Sequence, residues 1–310
     1  MLVSVIIPVY NRESYIGETL LTIKNQTFRP LELIIVDNCS NDSTLDICRD
    51  FAVKESCNGF SVKVVQEKRS GASACRNTGA RAATGEWLSF FDSDDLMSAD
   101  FIADAMKSVS VETQLVAGAT NMEISGKFRR RVFRYSNKVE EQILTGELST
   151  QSFIIRADFF GLTGGWNENL PRWNDWELGV RILLMRPVVA WLRDKSYHVV
   201  RAHSDSITGN SFSASFDALM KACRAVEQDL QHSAAVSRAA AKALAYRVYM
   251  LAGIFSRERT PHSAVQAKEY ADSLAFHGVD GANAHALCST WRQGSMDCGT
   301  CVVSMVGLPV

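Results

Sequence analysis

The chain has 310 residues, of which 46% are hydrophobic and 22% charged, so it can bury the core of one large domain or two. Its formal net charge of −1 gives no overall attraction for nucleic acid or for an anionic membrane. The eight cysteines are scattered, which favours a reducing compartment. Neither a signal peptide nor a membrane-spanning run is expected. We therefore expect a cytoplasmic protein, either free or in peripheral contact with the inner face of the plasma membrane.

The first hundred residues alternate short apolar runs with segments of helical spacing. Strands are predicted at residues 3–7, closed by Pro8, and at 31–36, 62–65 and 86–91, with a helix after each of the first three. This order predicts an α/β, Rossmann-like, mostly parallel sheet flanked by helices. Neither a G-x-G-x-x-G after the first strand nor a G-x-x-x-x-G-K-[ST] is present, which disfavours dinucleotide and P-loop chemistry.

The fourth predicted strand is followed at once by three carboxylates, in the stretch E-W-L-S-F-F-D-S-D-D of residues 86–95. Ligands of open α/β sheets bind at the carboxyl ends of the strands. Asp92, Asp94 and Asp95 are therefore expected to face a crevice, where a divalent cation would relieve their repulsion. The alternative is a turn followed by an N-cap for the next helix.

Beyond residue 100 the alternation loosens. A helix is predicted at 101–109, and strands at 115–120, 152–156, 188–192 and 197–200, with a polar stretch at 136–147. Between them lies a basic run, from Lys127 to Arg134, with Phe128 and Phe133 interleaved. It is predicted to be a solvated edge strand or a contact for an anionic acceptor or lipid headgroups.

A second acidic stretch, R-W-N-D-W-E-L-G-V-R at residues 172–181, places Asp175 at the start of a predicted helix. Asp175 is either a general base or an N-cap. From about residue 212 the chain is rich in alanine and helical in spacing, and this extension is predicted to form packed helical hairpins. Its role is expected to be oligomerisation, giving a homo-oligomer, or docking on a membrane surface.

The acidic groups and one histidine form a chemically coherent set. A Mn²⁺ or Mg²⁺ ion bound by Asp94 and Asp92, with His203 completing the shell, would stabilise a departing diphosphate. Asp175 would then take the proton from an incoming hydroxyl. Two alternatives are a glycoside hydrolase that pairs Asp92 or Asp94 with Asp175, and a non-catalytic sugar-nucleotide-binding module whose helical extension docks a partner.

Four ordered motifs carry a resemblance to a known family. They are V-S-V-I-I-P-V-Y-N-R, I-I-V-D-N-C-S-N-D-S-T, S-G-A-S-A-C-R-N-T-G-A-R-A-A-T-G-E-W-L-S-F-F-D-S-D-D and N-D-W-E-L-G-V-R. Over roughly residues 2–205 the chain resembles glycosyltransferase family 2. The resemblance implies a GT-A fold, inversion at the sugar carbon and a nucleotide-activated sugar as donor.

The resemblance also implies roles for individual residues, which are as follows: Pro8, Tyr10 and Glu13 at the nucleoside, Asp37 and Asn38 at the base, Arg76 and Asn77 near the donor, Asp92 at the ribose, Asp94 at the metal, Asp175 as the base and His203 closing the metal site. Asn38 and Asn174 stand where the family commonly has acidic residues. Trp166 and Trp173 are predicted either to stack on a sugar or to belong to the core.

The leading hypothesis is an inverting transferase that moves one sugar from a nucleotide diphosphate to a hydroxyl of a glycan or glycolipid acceptor. Its type is expected to be hexosyl or N-acetylhexosaminyl, in cell-surface polysaccharide synthesis. Residues 1–100 would form the nucleotide-sugar-binding half of the GT-A domain. Residues 101–210 would bind the acceptor and carry the catalytic base, and residues 211–310 would form the helical extension.

Overall fold

The computed structural model describes residues 1–124, 127–130, 133–201, 211–233 and 237–276. In this part of the chain, eight strands form one sheet, and they are β1 (Val3–Val9), β2 (Leu31–Asp37), β3 (Phe60–Gln66), β4 (Trp87–Phe90), β5 (Leu115–Ile124), β6 (Lys127–Arg130), β7 (Phe153–Arg156) and β8 (Val189–Arg201). The strand order is β3-β2-β1-β4-β7-β5-β6, with β8 paired to β5.

Helices connect or follow these strands. The described helices are α1 (Ile16–Lys24), α2 (Thr44–Glu55), α3 (Ala72–Ala82), α4 (Phe101–Lys107), α5 (Val139–Thr145), α6 (Ala157–Leu162), α7 (Asn174–Leu184), α8 (Phe216–His232), α9 (Arg238–Arg257) and α10 (Pro261–Phe276). Among the described residues, no helix combines the length and the apolar character needed to cross a lipid bilayer.

The sheet is mixed. β1 pairs in parallel with β2 and β4, β2 with β3, and β5 with β8, whereas β7 runs antiparallel to β4 and β5, and β6 antiparallel to β5. Four of these seven pairings are parallel, so the prediction of a mostly parallel α/β sheet flanked by helices is confirmed.

Both faces of the central strands are covered by helices. Val5 and Ile7 of β1 belong to a buried cluster that also contains Ile16 of α1 and Phe101 of α4. The opposite face meets α3, where a Cβ added at Gly79 would lie 2.3 Å from Cγ2 of Ile6. Every residue of β1 and β2 is therefore buried, which is why these strands read as continuous apolar runs.

Pro8 does not end the first strand, contrary to the prediction. It pairs with Val36 inside β1. The carbonyl of Ile6 accepts from the amide of Phe91 on the β4 side, and that of Val9 accepts from Asn38 beyond β2. Successive residues alternate sides, so the nitrogen of Pro8 faces β4, whose pairing has already ended at Ile6. The missing amide hydrogen therefore costs no ladder bond.

In the second half of the chain, one sequence-based assignment is wrong and one helix was not predicted. The strands predicted at 188–192 and 197–200 are one strand, β8, whose exposed residues 193–195 carry polar side chains. The register with β5 shifts between Gly118 and Asn121, and this irregularity lets the strand continue. The polar stretch at 136–147 contains α5, which buries Ile143 and ends at Gly146 with φ of +65°.

The basic run forms an edge strand over its described part. All four residues of β6 are exposed, and the ring of Phe128 is 66% accessible. This outcome agrees with the solvated edge strand predicted from the sequence. Residues 131 and 132 lie outside the described residues, and Phe133 and Arg134 lie beyond the end of β6.

The chain divides into two compact units. The sheet unit comprises Met1–Tyr135, Leu148–Pro171 and Pro187–Ala202, and the helical unit comprises Ser136–Glu147, Arg172–Arg186 and His203–Val310. Within the helical unit, α9 packs against α5, α8 and α10, and α7 packs against α5 and α8. The division into a sheet unit and a helical unit reflects which segments pack together. The functional division at residues 100 and 210 stays a prediction, and residues 277–310 of the predicted extension lie outside the described ranges.

Candidate active site

The loops after β1, β2 and β4 lie at one edge of the sheet because these strands are parallel neighbours. The loop after β1 carries Tyr10 and Glu13. The Tyr10 ring is 52% accessible, and a carboxylate oxygen of Glu13 accepts from the amide of Ser43 at 2.9 Å. The backbone amide of Arg12 donates to Oγ1 of Thr44 at 2.7 Å. The first two loops are therefore tied together, and they present an exposed aromatic ring.

Asp37 and Asn38 close the end of β2. Asp37 is fully buried and accepts from the amide of Ser40 and from Nε2 of Gln66, the latter at 3.2 Å. The amide nitrogen of Asn38 donates to the carbonyls of Glu67 and Arg69, and its oxygen accepts from the amide of Gly71 at 2.9 Å. Asn38 therefore holds the loop after β3, a task that the sequence did not indicate.

Asp92 is fixed by two side chains that approach from different elements. Nη2 of Arg76, in α3, donates to Oδ1 of Asp92 at 2.6 Å, and Nε2 of Gln151 donates to Oδ2 at 2.7 Å. The guanidinium of Arg76 stacks on the ring of Trp166 at 4.4 Å. Asn77 exchanges hydrogen bonds with the backbone of Trp166 in both directions, each at 2.9 Å. The ring of Trp166 therefore supports the guanidinium of Arg76 through a cation–π contact.

Trp166 belongs to the core, so it does not present the sugar-stacking face proposed as one alternative. Its accessibility is 2%, and its ring meets that of Phe90 edge to face with centroids 5.1 Å apart.

Asp94 and Asp95 lie in the turn that follows. Nε of Arg12 lies 3.4 Å from Oδ2 of Asp94. Asp95 is 2% accessible and accepts from Gln151 and from the amide of Arg201, the latter at 2.8 Å. Nε of Arg201 also donates to the carbonyl of Asp94 at 2.6 Å. Burial, followed by the charges of Asp92 and Asp94, raises the pKa of Asp95 well above its usual value.

The turn is confirmed, but its alternative role as an N-cap is not. The next helix, α4, begins at Phe101 with Asp100 in the N-cap position, and the side chain that accepts from its first turn is Gln26, whose Oε1 lies 3.4 Å from the amide of Ile102. The strand β8 instead secures the segment after the turn, since Leu96 and Val199 exchange two backbone hydrogen bonds of 3.1 and 2.9 Å. The carboxylates of residues 92–95 are therefore held in place by distant parts of the chain.

Two carboxylates at this turn are of the chemical type that binds a hard divalent cation. Asp92 and Asp94 retain side-chain accessibilities of 33% and 20%, and carboxylate oxygens are the ligands that Mn²⁺ and Mg²⁺ prefer. Within the described residues, no three His, Cys, Asp or Glu side chains are grouped so as to hold a metal ion. His203, the predicted third ligand, lies outside those residues.

Asp175 lies in the first turn of α7, in the helical unit. The N-cap position belongs to Trp173, whose φ of 59° and ψ of 26° are left-handed. Asp175 is the second residue of the helix and its Oδ1 accepts from the amide of Trp176 at 2.8 Å, so the N-cap alternative is wrong. Left-handed backbone at a bulky residue costs about 1–2 kcal/mol, and the surroundings must therefore impose it.

Three residues that fix the strand-end carboxylates were not assigned a role from the sequence. Gln151 binds two of the carboxylates from 59 and 56 positions away, and Arg201 reaches the turn from the end of β8. Arg12 lies in the loop after β1, where only Tyr10 and Glu13 were assigned a role from the sequence. No local signal marks Gln151 or Arg201, because their contacts depend on the order of strands in the sheet.

The comparisons with known proteins agree with this architecture. The model of the family described as Glycosyl transferase family 2 matches residues 4–166. Glycosyltransferase GlyA of Streptococcus pneumoniae serotype 4 (strain ATCC BAA-334 / TIGR4) is 32% identical over 172 residues, which are 54% of this chain and 24% of GlyA. The chain thus matches about a quarter of the length of that relative.

Solved structures share the fold. TarS 1-349 of S. aureus, in complex with UDP-GlcNAc, superposes with a TM-score of 0.64 at 18% identity, over 87% of this chain and 91% of that one. The mannosyltransferase PcManGT of Pyrobaculum calidifontis, in complex with GDP-Man and Mn²⁺, gives 0.62 at 19% identity, over 95% and 81%. The fold is therefore of the GT-A glycosyltransferase class, as predicted.

The family model covers more than half of the chain and spans all the strands from β1 to β4 that form the candidate site. The chain belongs to Glycosyl transferase family 2.

Proposed function

We propose that the chain is an inverting glycosyltransferase that moves a sugar from a nucleotide-diphosphate donor to a hydroxyl of a glycan or glycolipid. The acceptor class is that of cell-surface polysaccharide synthesis, and the sugar is a hexose or an N-acetylhexosamine. The observation that carries the proposal is the family match over residues 4–166. This segment contains every residue predicted to bind the donor, from Pro8 through Asp37 and Arg76 to Asp94.

The strand-end loops would bind the donor. Pro8, Tyr10 and Glu13 would surround the nucleoside, and Asp37 with Asn38 would lie near the base. Asn77 would lie near the donor beside Arg76. The tied loops favour such a role because a binding surface whose backbone is already ordered loses little entropy when a ligand binds.

A divalent cation would be held by Asp94 and Asp92, with His203 as the proposed third ligand, and it would supply positive charge for the departing diphosphate. Asp175 would take the proton of the acceptor hydroxyl while its oxygen attacks the anomeric carbon. Attack on the face opposite the departing nucleotide inverts the configuration. The bound GDP-Man and Mn²⁺ of PcManGT and the UDP-GlcNAc of TarS support a donor of this class.

Cytoplasmic action is part of the proposal, because nucleotide sugars are its donors. We also propose peripheral contact with the inner face of the membrane. The helical extension would form a homo-oligomer.

A screen of nucleotide sugars by thermal shift tests the donor. UDP-GlcNAc, UDP-glucose, UDP-galactose and GDP-mannose are each added with and without Mn²⁺. A donor at 100 times its dissociation constant stabilises the protein by about 2.7 kcal/mol, so its melting temperature should rise, and chelation should reduce the rise.

The stereochemistry of the product separates the proposal from its alternatives. Transfer from the donor found by the screen should give the inverted anomer. Release of free sugar from a simple glycoside without a nucleotide would favour the hydrolase. Donor binding with no transfer to any of a panel of glycan and lipid-linked acceptors would favour the binding module.

A further inference from the structure

Arg247 is a buried arginine in the middle of α9, in the alanine-rich part of the chain where the sequence indicated no chemistry. It is 2% accessible. Its Nη1 donates to the carbonyls of Ile143 and Leu144, at the end of α5, at 2.9 and 3.0 Å. These carbonyls belong to the last turn of a helix, where a cation is favourable.

The guanidinium of Arg247 also contacts two tryptophans at the start of α7. Its carbon lies 4.3 Å from the ring centroid of Trp173 and 4.9 Å from that of Trp176. The two rings meet at an angle of 57° with centroids 5.2 Å apart. One arginine therefore joins the end of α5 to both tryptophans, and this is a desolvated cation–π arrangement of the stronger kind.

These tryptophans flank Asp175. Trp173 adopts the left-handed conformation that directs the chain into α7, and the amide of Trp176 donates to Oδ1 of Asp175. The indole nitrogen of Trp176 donates to the carbonyl of Ile143 at 3.1 Å, one of the two that Arg247 binds. The backbone on both sides of Asp175 is thus anchored through side chains that Arg247 holds.

A second contact from the helical extension fixes the preceding residue. Nη1 of Arg172 donates to Oγ of Ser215, immediately before α8, at 2.6 Å, and its guanidinium lies 5.3 Å from the ring centroid of Phe212. Residue 172 is therefore held by the segment that precedes α8, and residue 173 by α9.

We propose that Arg247 is a positioning residue, which imposes the left-handed turn at Trp173 and thereby fixes the orientation of Asp175. The helical extension would then help to position the proposed catalytic base. The catalytic consequence rests on the proposed function, in which Asp175 is the base, whereas the conformational part does not.

Hydrogen exchange in the full chain tests the conformational part without any substrate. In Arg247→Met, the peptide covering residues 172–178 should exchange at least tenfold faster, while the peptides of β1 and α10 keep their rates. Arg224→Met is the matched control, because Arg224, in α8, is exposed and stacks on Tyr270. An unchanged rate in residues 172–178, or an equal acceleration across all helices, would overturn the proposal.

A second pair of variants covers the case in which Arg247→Met does not fold. Trp173→Gly and Trp173→Ala both remove the ring, but only glycine adopts φ of +59° without strain. The glycine variant should therefore melt about 1–2 °C higher than the alanine variant. An alanine variant that melts as high or higher would contradict a strained turn at this position.

Kinetics test the catalytic consequence separately, with the donor identified by the thermal-shift screen. Arg247→Met should lower kcat about tenfold or more with little change in donor KM. In an Asp175→Asn background the same change should have no further effect, because Arg247 acts through Asp175. An equal loss in both backgrounds would overturn the positioning role, whereas full transfer by Asp175→Asn alone would refute the proposed function.

Discussion

In the sheet unit, the carboxylates after β4 are held by the side chains of Arg76, Arg12 and Gln151, and by the backbone amide of Arg201. In the helical unit, the carboxylate of Asp175 accepts from the backbone amide of Trp176, and Arg247 contacts the rings of Trp173 and Trp176. The first arrangement balances charge where a charged ligand is expected. The second arrangement fixes the backbone around a carboxylate that we propose as the general base.

This difference predicts that the two sites respond differently to loss of charge. Removal of a partner in the sheet unit should affect stability and donor binding. Removal of the carboxylate in the helical unit should affect the chemical step alone.

The largest effect is expected for Asp175→Asn. Loss of a general base lowers transfer by about 10²–10⁴-fold, while donor affinity, measured by calorimetry, should stay the same. Asp217→Asn is the matched control, since Asp217 is an exposed aspartate in the first turn of α8. Wild-type transfer by Asp175→Asn would remove this residue from the mechanism.

The next largest effect is expected for the ion pair between Arg76 and Asp92. Arg76→Ala removes both the 2.6 Å pair and the stack on Trp166, and the free energy of unfolding should fall by about 3 kcal/mol. Urea denaturation measures this change. Arg81→Ala, on the same helix but 61% accessible at its side chain, should cost less than about 1 kcal/mol. Equal losses of unfolding free energy in the two variants would show that burial of the Arg76–Asp92 pair does not increase its contribution to stability.

Donor affinity in the presence of Mn²⁺ should fall in Asp94→Asn. We expect a loss of about tenfold or more, or roughly 1.4 kcal/mol, because a neutral amide binds a divalent cation less well than a carboxylate. Asp46→Asn, in the exposed first turn of α2, is the control. A variant at position 94 that binds the donor as tightly as the wild type, with and without chelator, would argue against a metal site in this turn.

The smallest effect concerns pH and lies in the helical unit. Burial, followed by the charge of Glu177, raises the pKa of Asp229 to about 7. An unfolded aspartate releases its proton near pH 4, so between about pH 4 and 7 the folded chain keeps a proton that the unfolded chain has lost. This group therefore lowers stability as the pH rises through that range.

Asp229→Asn should remove this dependence. Because Asp229 is only partly buried, solvent screening reduces the effect to about 1 kcal/mol. The variant and the wild type should unfold with similar free energies at pH 4, and the variant should be more stable by that amount at pH 8. A constant difference between them from pH 4 to 8 would contradict the raised pKa.

Local patterns predicted the parts of the fold that depend on near neighbours. The strands β1 to β4, the helices between them and the carboxylate turn followed from apolar runs and from abrupt changes of composition. The resemblance to a family supplied the candidate site residues. The continuity of β8 was missed, because a register shift against β5 accommodates polar residues that normally end a strand.

Contacts between distant segments could not be predicted. Gln151 meets Asp92 only because β4 and β7 are neighbours in the sheet, and Arg247 meets Trp173 only because α9 packs against α5. In a helix rich in alanine, an arginine such as Arg247 would be assigned to the surface. Its burial against two tryptophans depends on partners about seventy positions away, which no local pattern encodes.

The most direct test of the central claim measures Asp94→Asn and Asp175→Asn side by side, for donor binding and for sugar transfer, on the same preparations with Mn²⁺. We predict opposite patterns: Asp94→Asn loses donor affinity together with transfer, whereas Asp175→Asn keeps wild-type affinity and loses transfer alone. If both variants lose donor affinity to the same extent, or if Asp175→Asn transfers sugar at the wild-type rate, the separation of donor binding from base catalysis is contradicted.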